Sequence, residues 1–187
     1  MKSYYLATLS ALTFLVLLHE AWPFPRFGVS TVASRPDVAG YDRDAFTHWE
    51  PADACTTREL ALSAQTTLSG CDIVHDVYDP YSDQMLAATE PIHIDHVFAL
   101  SAAWDLGAHS WSDERRTEFA NDPLNLIATS AALNQEKSDS LPSEWLPPKN
   151  RCGYAKRLAE VAKKYELPLP HSDIRMMRKE CRFAIPT

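Results

Sequence analysis

A chain of 187 residues holds enough sequence for one domain with a proper core and not comfortably for two. Its formal net charge of -7 counts against a protein that grips polyanions indiscriminately, because affinity for phosphate is drawn from Lys and Arg. The four cysteines, Cys55, Cys71, Cys152 and Cys181, include no CxxC pair, which disfavours a structural zinc knuckle.

After Met1 and Lys2, residues 4–18 are apolar apart from small hydroxyl residues, and His19, Glu20 and Ala21 follow. The run is short for a bilayer and reads as a secretory signal peptide over residues 1–21, cleaved near Ala21 or in the small-residue stretch around Ala33. An uncleaved single-pass anchor is the rival reading. Residues 22–40, with Pro23, Pro25 and Pro36, read as a flexible lead-in, and residues 41–187 as one domain. From Thr57 the run TRELALSAQTTL predicts a short helix capped by Thr56 or Thr57, with Glu59 in the first turn where the helix dipole favours an acid; Gly70 ends that unit. Residues 71–78 and 92–98 are rich in β-favouring types, with turn chemistry between them at Asp79-Pro80 and Ser82-Asp83. The expectation is a hairpin whose return strand runs into Asp95 and His96. ALSAAWDLG predicts a helix ended by Gly107, and Ser112 caps another through Phe119. Residues 124–129 are a strand candidate, and Ser130 caps a helix carrying Asn134 and Lys137. Pro142 opens a short turn and Pro147-Pro148 breaks it. Helices follow over 152–165 and 172–182, the first with Tyr154, Leu158, Val161, Ala162 and Tyr165 at helical spacing.

In an exported chain an even number of separated cysteines argues for disulfides. Of the three connectivities, Cys55 with Cys71 and Cys152 with Cys181 is favoured because each pair brackets one local unit. The acidity is confined to the N-terminal half: residues 1–90 hold five Lys/Arg against twelve Asp/Glu, and residues 91–187 hold thirteen of each. Residues 149–182 carry ten basic side chains against four acidic ones. That is a candidate phosphate-facing surface, although a solvated helix face is the commoner meaning of such a run.

A strand with Asp95-His96, a strand beginning Asn125-Leu126, and a helix with Asn134 and Lys137 follow one another in that order. The sequence strings are IDHVFAL (94–100), NDPLNLIA (121–128) and NQEK (134–137). This order resembles the ββα-metal, or HNH, nuclease motif. With FANDPLNLIA, WLPP (145–148), FTHW, C.TRE and DPYS, the chain looks like a family of secreted HNH endonuclease proteins over roughly residues 41–181. The resemblance implies an α+β fold: a ββα-metal core with an N-terminal helix-hairpin unit and C-terminal helices. It also implies endonucleolytic hydrolysis of DNA, and RNA as a further substrate. His96 would be the general base, Asp95 and Asn134 the ligands of a single Mg²⁺ or Mn²⁺, and Asn125 the structural asparagine. Asn134 stands where many HNH proteins carry His, which shifts the site toward oxygen-preferring metals and away from zinc.

The residue types suit that chemistry on their own terms. Phosphodiester hydrolysis needs a water deprotonated near neutral pH, a cation at the crowded phosphate oxygens, and stabilisation of the leaving alkoxide. Imidazole titrates near the working pH. A carboxylate and an amide oxygen suit Mg²⁺ or Mn²⁺. Asn125 is placed to hold the His96 ring by a hydrogen bond, and Lys137, one turn from Asn134, to meet a phosphate. One difficulty is geometric: neighbours on a regular strand point to opposite faces, so the strand must end, twist or bulge at Asp95 and His96.

Each residue also has a duller meaning. Asp95 would serve as a helix cap, His96 as a bonded interior histidine, Asn125 as a turn residue and Lys137 as a solvated charge; together the functional reading is ahead. His48, His75, His93 and His109 read as structural, with the reservation that His93 shares a strand face with Asp95. The overall expectation is a secreted, monomeric enzyme acting on nucleic acid, with no stable membrane association after processing. Two rivals are a secreted nucleic-acid- or partner-binding protein with an inactive HNH fold, and a hydrolase of small phosphoesters.

Overall fold

The computed structural model describes residues 5, 8–14 and 26–182. The expected leader lies mostly outside the described residues; residues 8–14 are helical and exposed. Among the described residues no helix is long and apolar enough to cross a membrane.

The centre of the molecule is a two-stranded antiparallel sheet. Ile92–His96 and Leu126–Ser130 pair in the register Ile92↔Ser130 through His96↔Leu126, and the helix Ala131–Lys137 follows directly. This is the ββα arrangement of an α+β fold. Numbered in chain order, the strands are β1 (Thr31–Val32), β2 (Pro51–Ala52), β3 (Cys55–Thr56), β4 (Leu68–Ser69), β5 (Asp72–Ile73), β6 (Val77–Asp79), β7 (Gln84–Leu86), β8 (Ile92–His96), β9 (Leu126–Ser130) and β10 (Leu169–Pro170). The helices are α1 (Thr57–Ser63), α2 (Leu100–Asp105), α3 (Asp113–Asn121), α4 (Ala131–Lys137), α5 (Arg151–Lys164) and α6 (His171–Cys181).

Local sequence chemistry sets most of these boundaries. Thr56 caps α1 in a capping box with Glu59, Ser112 Oγ accepts from Arg115 N–H, and Ser130 Oγ accepts from Leu133 N–H to start α4. Such caps satisfy backbone donors that a helix leaves unpaired at its first turn. The strand partners differ from expectation. Residues 71–78 do not pair with 92–98: β6 pairs with β7 across the DPYS turn, and β8 pairs with the distant β9. Nor does the first helix run to Leu68. It ends at Ser63, and β4 and β5 form a hairpin around Gly70, whose φ of +62° suits glycine.

The two faces of the β8–β9 ribbon bury different cores. Ile92, Ile94, Leu126 and Ala128 pack with Ala61, Leu62, Val77 and Leu86. Ile127 belongs to the larger core, with Tyr81, Phe98, Phe119, Leu158 and Met177. The free edge of β9 is covered by a side chain: Gln65 Nε2 donates to Ala128 O and Ala128 N–H donates to Gln65 Oε1, each at 2.7 Å. That amide acts as a one-residue strand and blunts an edge that would otherwise invite pairing.

Disulfides join Cys55 to Cys71 and Cys152 to Cys181, the second stapling α5 to α6. The lead-in is tied down from Thr31 onward, contrary to the flexible reading. β1 pairs in parallel with β10, and Arg35 makes ion pairs with Asp105 at 2.7 Å and Asp139 at 2.8 Å. The prolines deny this segment helix or long strand, but one strand pair and one half-buried cation fix it without either.

Candidate active site

Asp95 and His96 leave the end of β8 toward different neighbours, as the alternation of a strand requires. Asp95 is 4 % exposed. Its Oδ1 accepts from Lys137 Nζ at 2.9 Å and its Oδ2 from the Tyr81 hydroxyl at 2.6 Å. Burial pushes the Asp95 carboxyl up, and the Lys137 charge and the Tyr81 hydrogen bond offset part of that rise. Tyr81 is held by its own turn: Asp79 Oδ1 accepts from Tyr81 N–H, and Asp79 Oδ2 accepts from the Ser82 hydroxyl and from Ser130 N–H. The DPYS turn thus ties the α4 N-terminus to the residue that holds Asp95.

His96 is also 4 % exposed and sits against the rings of His48 and Trp49, with centroids 6.2 and 6.1 Å away. Its Nε2 lies 2.8 Å from Ala120 O. A carbonyl can only accept, so Nε2 carries the proton and the neutral ring keeps its lone pair on Nδ1. Burial, first among the causes, drives the imidazolium down to about 3, and the ring is neutral at ordinary pH. The neutral ring can accept a proton at Nδ1, while burial makes it a weaker base than a solvated imidazole, whose titration near the working pH suits general-base catalysis.

Asn125 is fully buried, and its side-chain hydrogen bonds do not go to His96 as the sequence suggested. Its Oδ1 accepts from Phe98 N–H at 2.8 Å, its Nδ2 donates to Phe98 O at 3.2 Å, and its backbone O accepts from Val97 N–H. The amide is spent on the backbone that follows His96, so Asn125 fixes where the strand ends, while Ala120 O orients the ring.

Lys137 also departs from expectation. Its side chain is fully buried, and besides Asp95 its ammonium donates to His96 O at 2.9 Å. It faces inward because α4 crosses the ribbon on the Asp95 side, which leaves it no route to a substrate phosphate. Asn134, one turn earlier, is half-buried. Its Nδ2 lies 3.1 Å from His93 Nδ1. An amide NH₂ only donates, so His93 accepts, and Asn134 Oδ1 has no hydrogen-bond donor among the described residues. His93, read from sequence as structural, is therefore the partner that holds this amide. Its place two residues before Asp95 on one strand face was the available signal.

Asp95, His96 and Asn134 border one cavity of about 540 Å³, together with Tyr41, Arg43, Ser101 and Asp139. Each Asp95 oxygen keeps a lone pair beyond its single hydrogen bond, and ligating carboxylates are commonly bonded in this way by neighbouring residues. With the free amide oxygen of Asn134 this gives two hard donors. Among the described residues no three His, Cys, Asp or Glu side chains cluster to hold a metal. A site with so few protein ligands suits an ion that keeps much of its water, as Mg²⁺ does. Those two oxygens are the hard donors that the expected ion would need.

The family model of the GmrSD restriction endonucleases, C-terminal domain, matches residues 56–174, a span that holds the whole ribbon, α4 and the site residues above except Tyr41, Arg43, His48 and Trp49. The chain belongs to this GmrSD C-terminal domain family. A protein of Arthroderma benhamiae described as an uncharacterized secreted protein is 33 % identical over 193 residues, covering 92 % of this chain and 95 % of that one. No solved structure matches the chain significantly. Within the matched span the β8–β9–α4 unit carries Asp95, His96, Asn125, Asn134 and Lys137 and the DPYS turn supplies Tyr81, while the aromatic neighbours of His96 and the outer cavity wall at Tyr41 and Arg43 come from residues before that span.

Proposed function

We propose that this protein is a secreted, metal-dependent endonuclease that hydrolyses phosphodiester bonds of DNA, and of RNA as a further substrate, in the cavity bordered by Asp95, His96 and Asn134. The observation that carries the reading is the geometry of His96, whose ring borders the cavity with Nε2–H fixed on Ala120 O, which leaves Nδ1 as the nitrogen that would accept a proton from water. Asp95 and Asn134 would hold one Mg²⁺ or Mn²⁺, which when bound supplies Lewis-acid stabilisation of the phosphate oxygens. Lys137 and Tyr81 keep the Asp95 carboxylate in one orientation, and His93 holds the Asn134 amide in place. Family membership supports nucleic acid as the substrate class. The two disulfides, the apolar N-terminal run and the secreted relative support export.

The test is nicking of supercoiled plasmid, and degradation of RNA, by purified protein with Mg²⁺ and again after excess EDTA. Cleavage that EDTA abolishes is expected; a protein that cuts neither polymer with any divalent ion overturns the reading. The buried Asp95–Lys137 pair favours one second reading, because it neutralises the carboxylate offered to a cation. In that case the protein keeps the fold and binds nucleic acid or a partner without turnover, which metal-independent binding without cleavage would reveal.

A further inference from the structure

We propose that Arg43 anchors a phosphate of the nucleic acid in the cavity beside Asp95 and His96, an inference that rests on the nuclease reading above. Burial of Lys137 leaves the site in need of another cation, and neither motif nor spacing pointed to one. Arg43 lines the same cavity as Asp95, His96 and Asn134 and is exposed.

Arg43 is flanked in the chain by Asp42 and Asp44, and among the described residues neither forms an ion pair with it. Of the carboxylates on the cavity wall, Asp95 is paired with Lys137, and Asp139 with Arg35 at 2.8 Å. Arg35, Arg58, Arg115, Arg116 and Arg151 each form an ion pair with a carboxylate. Arg43 forms none among the described residues, yet it is close enough for its charge to act on His96. An unpaired guanidinium at the mouth of a site that takes phosphodiesters presents a planar fork of donors matched to two phosphate oxygens.

Its carrier is also rigid. Asp42 Oδ1 accepts from Asp44 N–H at 2.9 Å to cap the single 3₁₀ turn Arg43–Ala45, and Phe46, fully buried, pins the end of that turn in the core. The Arg43 charge acts on the Tyr41 hydroxyl, and the Tyr41 ring packs edge-on against Trp104 with centroids 6.2 Å apart. Arg43 thus lines the cavity from a turn anchored in the core, a support that a solvated surface arginine would not have.

The experiment measures binding of a short fluorescein-labelled DNA duplex by anisotropy in EDTA over a salt series, with plasmid cleavage in Mg²⁺ alongside, for wild type, Arg43→Ala and Arg43→Lys. Arg43→Ala should weaken binding roughly tenfold, the loss of a charged hydrogen-bonded contact, and lower the slope of log affinity against log salt by about one. Arg43→Lys should keep the salt slope and recover only part of the affinity. Wild type that binds and cuts, with Arg43→Ala matching it in affinity, slope and rate, overturns this inference alone. Wild type that neither binds nor cuts overturns the nuclease reading and this inference with it.

Discussion

Lys137→Met tests whether the lysine after Asn134 is an internal counter-ion and not a phosphate ligand. The substitution keeps the length of the side chain and removes its charge from a site where Lys137 is 0 % and Asp95 5 % exposed. It strips Asp95 Oδ1 and His96 O of their donor and leaves a carboxylate in the interior with only the Tyr81 hydroxyl. Breaking a buried pair in this way costs about 3–5 kcal/mol, a large part of a total domain stability of roughly 5–15 kcal/mol. Asp95→Asn should also destabilise, by leaving the ammonium without its counter-ion. The double variant should lose at least about 2 kcal/mol less than the sum of the singles, because neither orphaned charge then exists. Urea unfolding followed by circular dichroism, with the disulfides intact, measures all three. Single losses below about 1 kcal/mol that simply add would be the behaviour of a solvated ion pair, and would return Lys137 to the surface as a candidate for phosphate.

Asn125→Ala should cost about 2–4 kcal/mol in the same unfolding assay, since it orphans the buried N–H and C=O of Phe98; a loss under about 0.5 kcal/mol, the size of an ordinary surface change, would refute its clamping role. The Ser101 hydroxyl and Arg35 hold the Asp139 carboxyl below the usual carboxylate range. Its contribution is therefore complete above the unfolded value near about 4 and is lost as pH falls through the lower folded value. Asp139→Asn should flatten that part of the acid unfolding curve relative to wild type, and an unchanged curve would count against the Arg35–Asp139 contact. Replacing Cys152 and Cys181 together by Ala opens a loop of 29 residues and should cost about 3–4 kcal/mol, read as a lower denaturation midpoint.

What the sequence showed and what it hid divide along the range of the interactions involved. Caps are local, so Thr56 with Glu59, Ser112 and Ser130 announced three helices from their own neighbours. The order of strand, strand and helix announced the ββα core. Strand partners are not local: nothing in residues 92–96 says that they pair with 126–130 instead of with the nearer 71–78, because β preference describes a half-buried surface and leaves the partner open. Lys137 reads as solvated on base rates and is buried because Asp95, 42 residues earlier, meets it across the ribbon. Asn125 was identified as important, but its duty passed from the ring of His96 to the backbone after it. His93 and Tyr81 acquire their roles from a face and a turn that exist only once the chain is folded. Arg43 stands apart from any motif in chain order and becomes a candidate only because the cavity brings it beside Asp95 and His96.

The central claim is that His96 is the base of a nuclease. It is tested most directly by comparing Mg²⁺-dependent plasmid cleavage by wild type and folded His96→Ala, with and without added imidazole. The predicted result is a loss of at least about 100-fold, partly restored by imidazole. A His96→Ala protein that cuts as fast as wild type would contradict it.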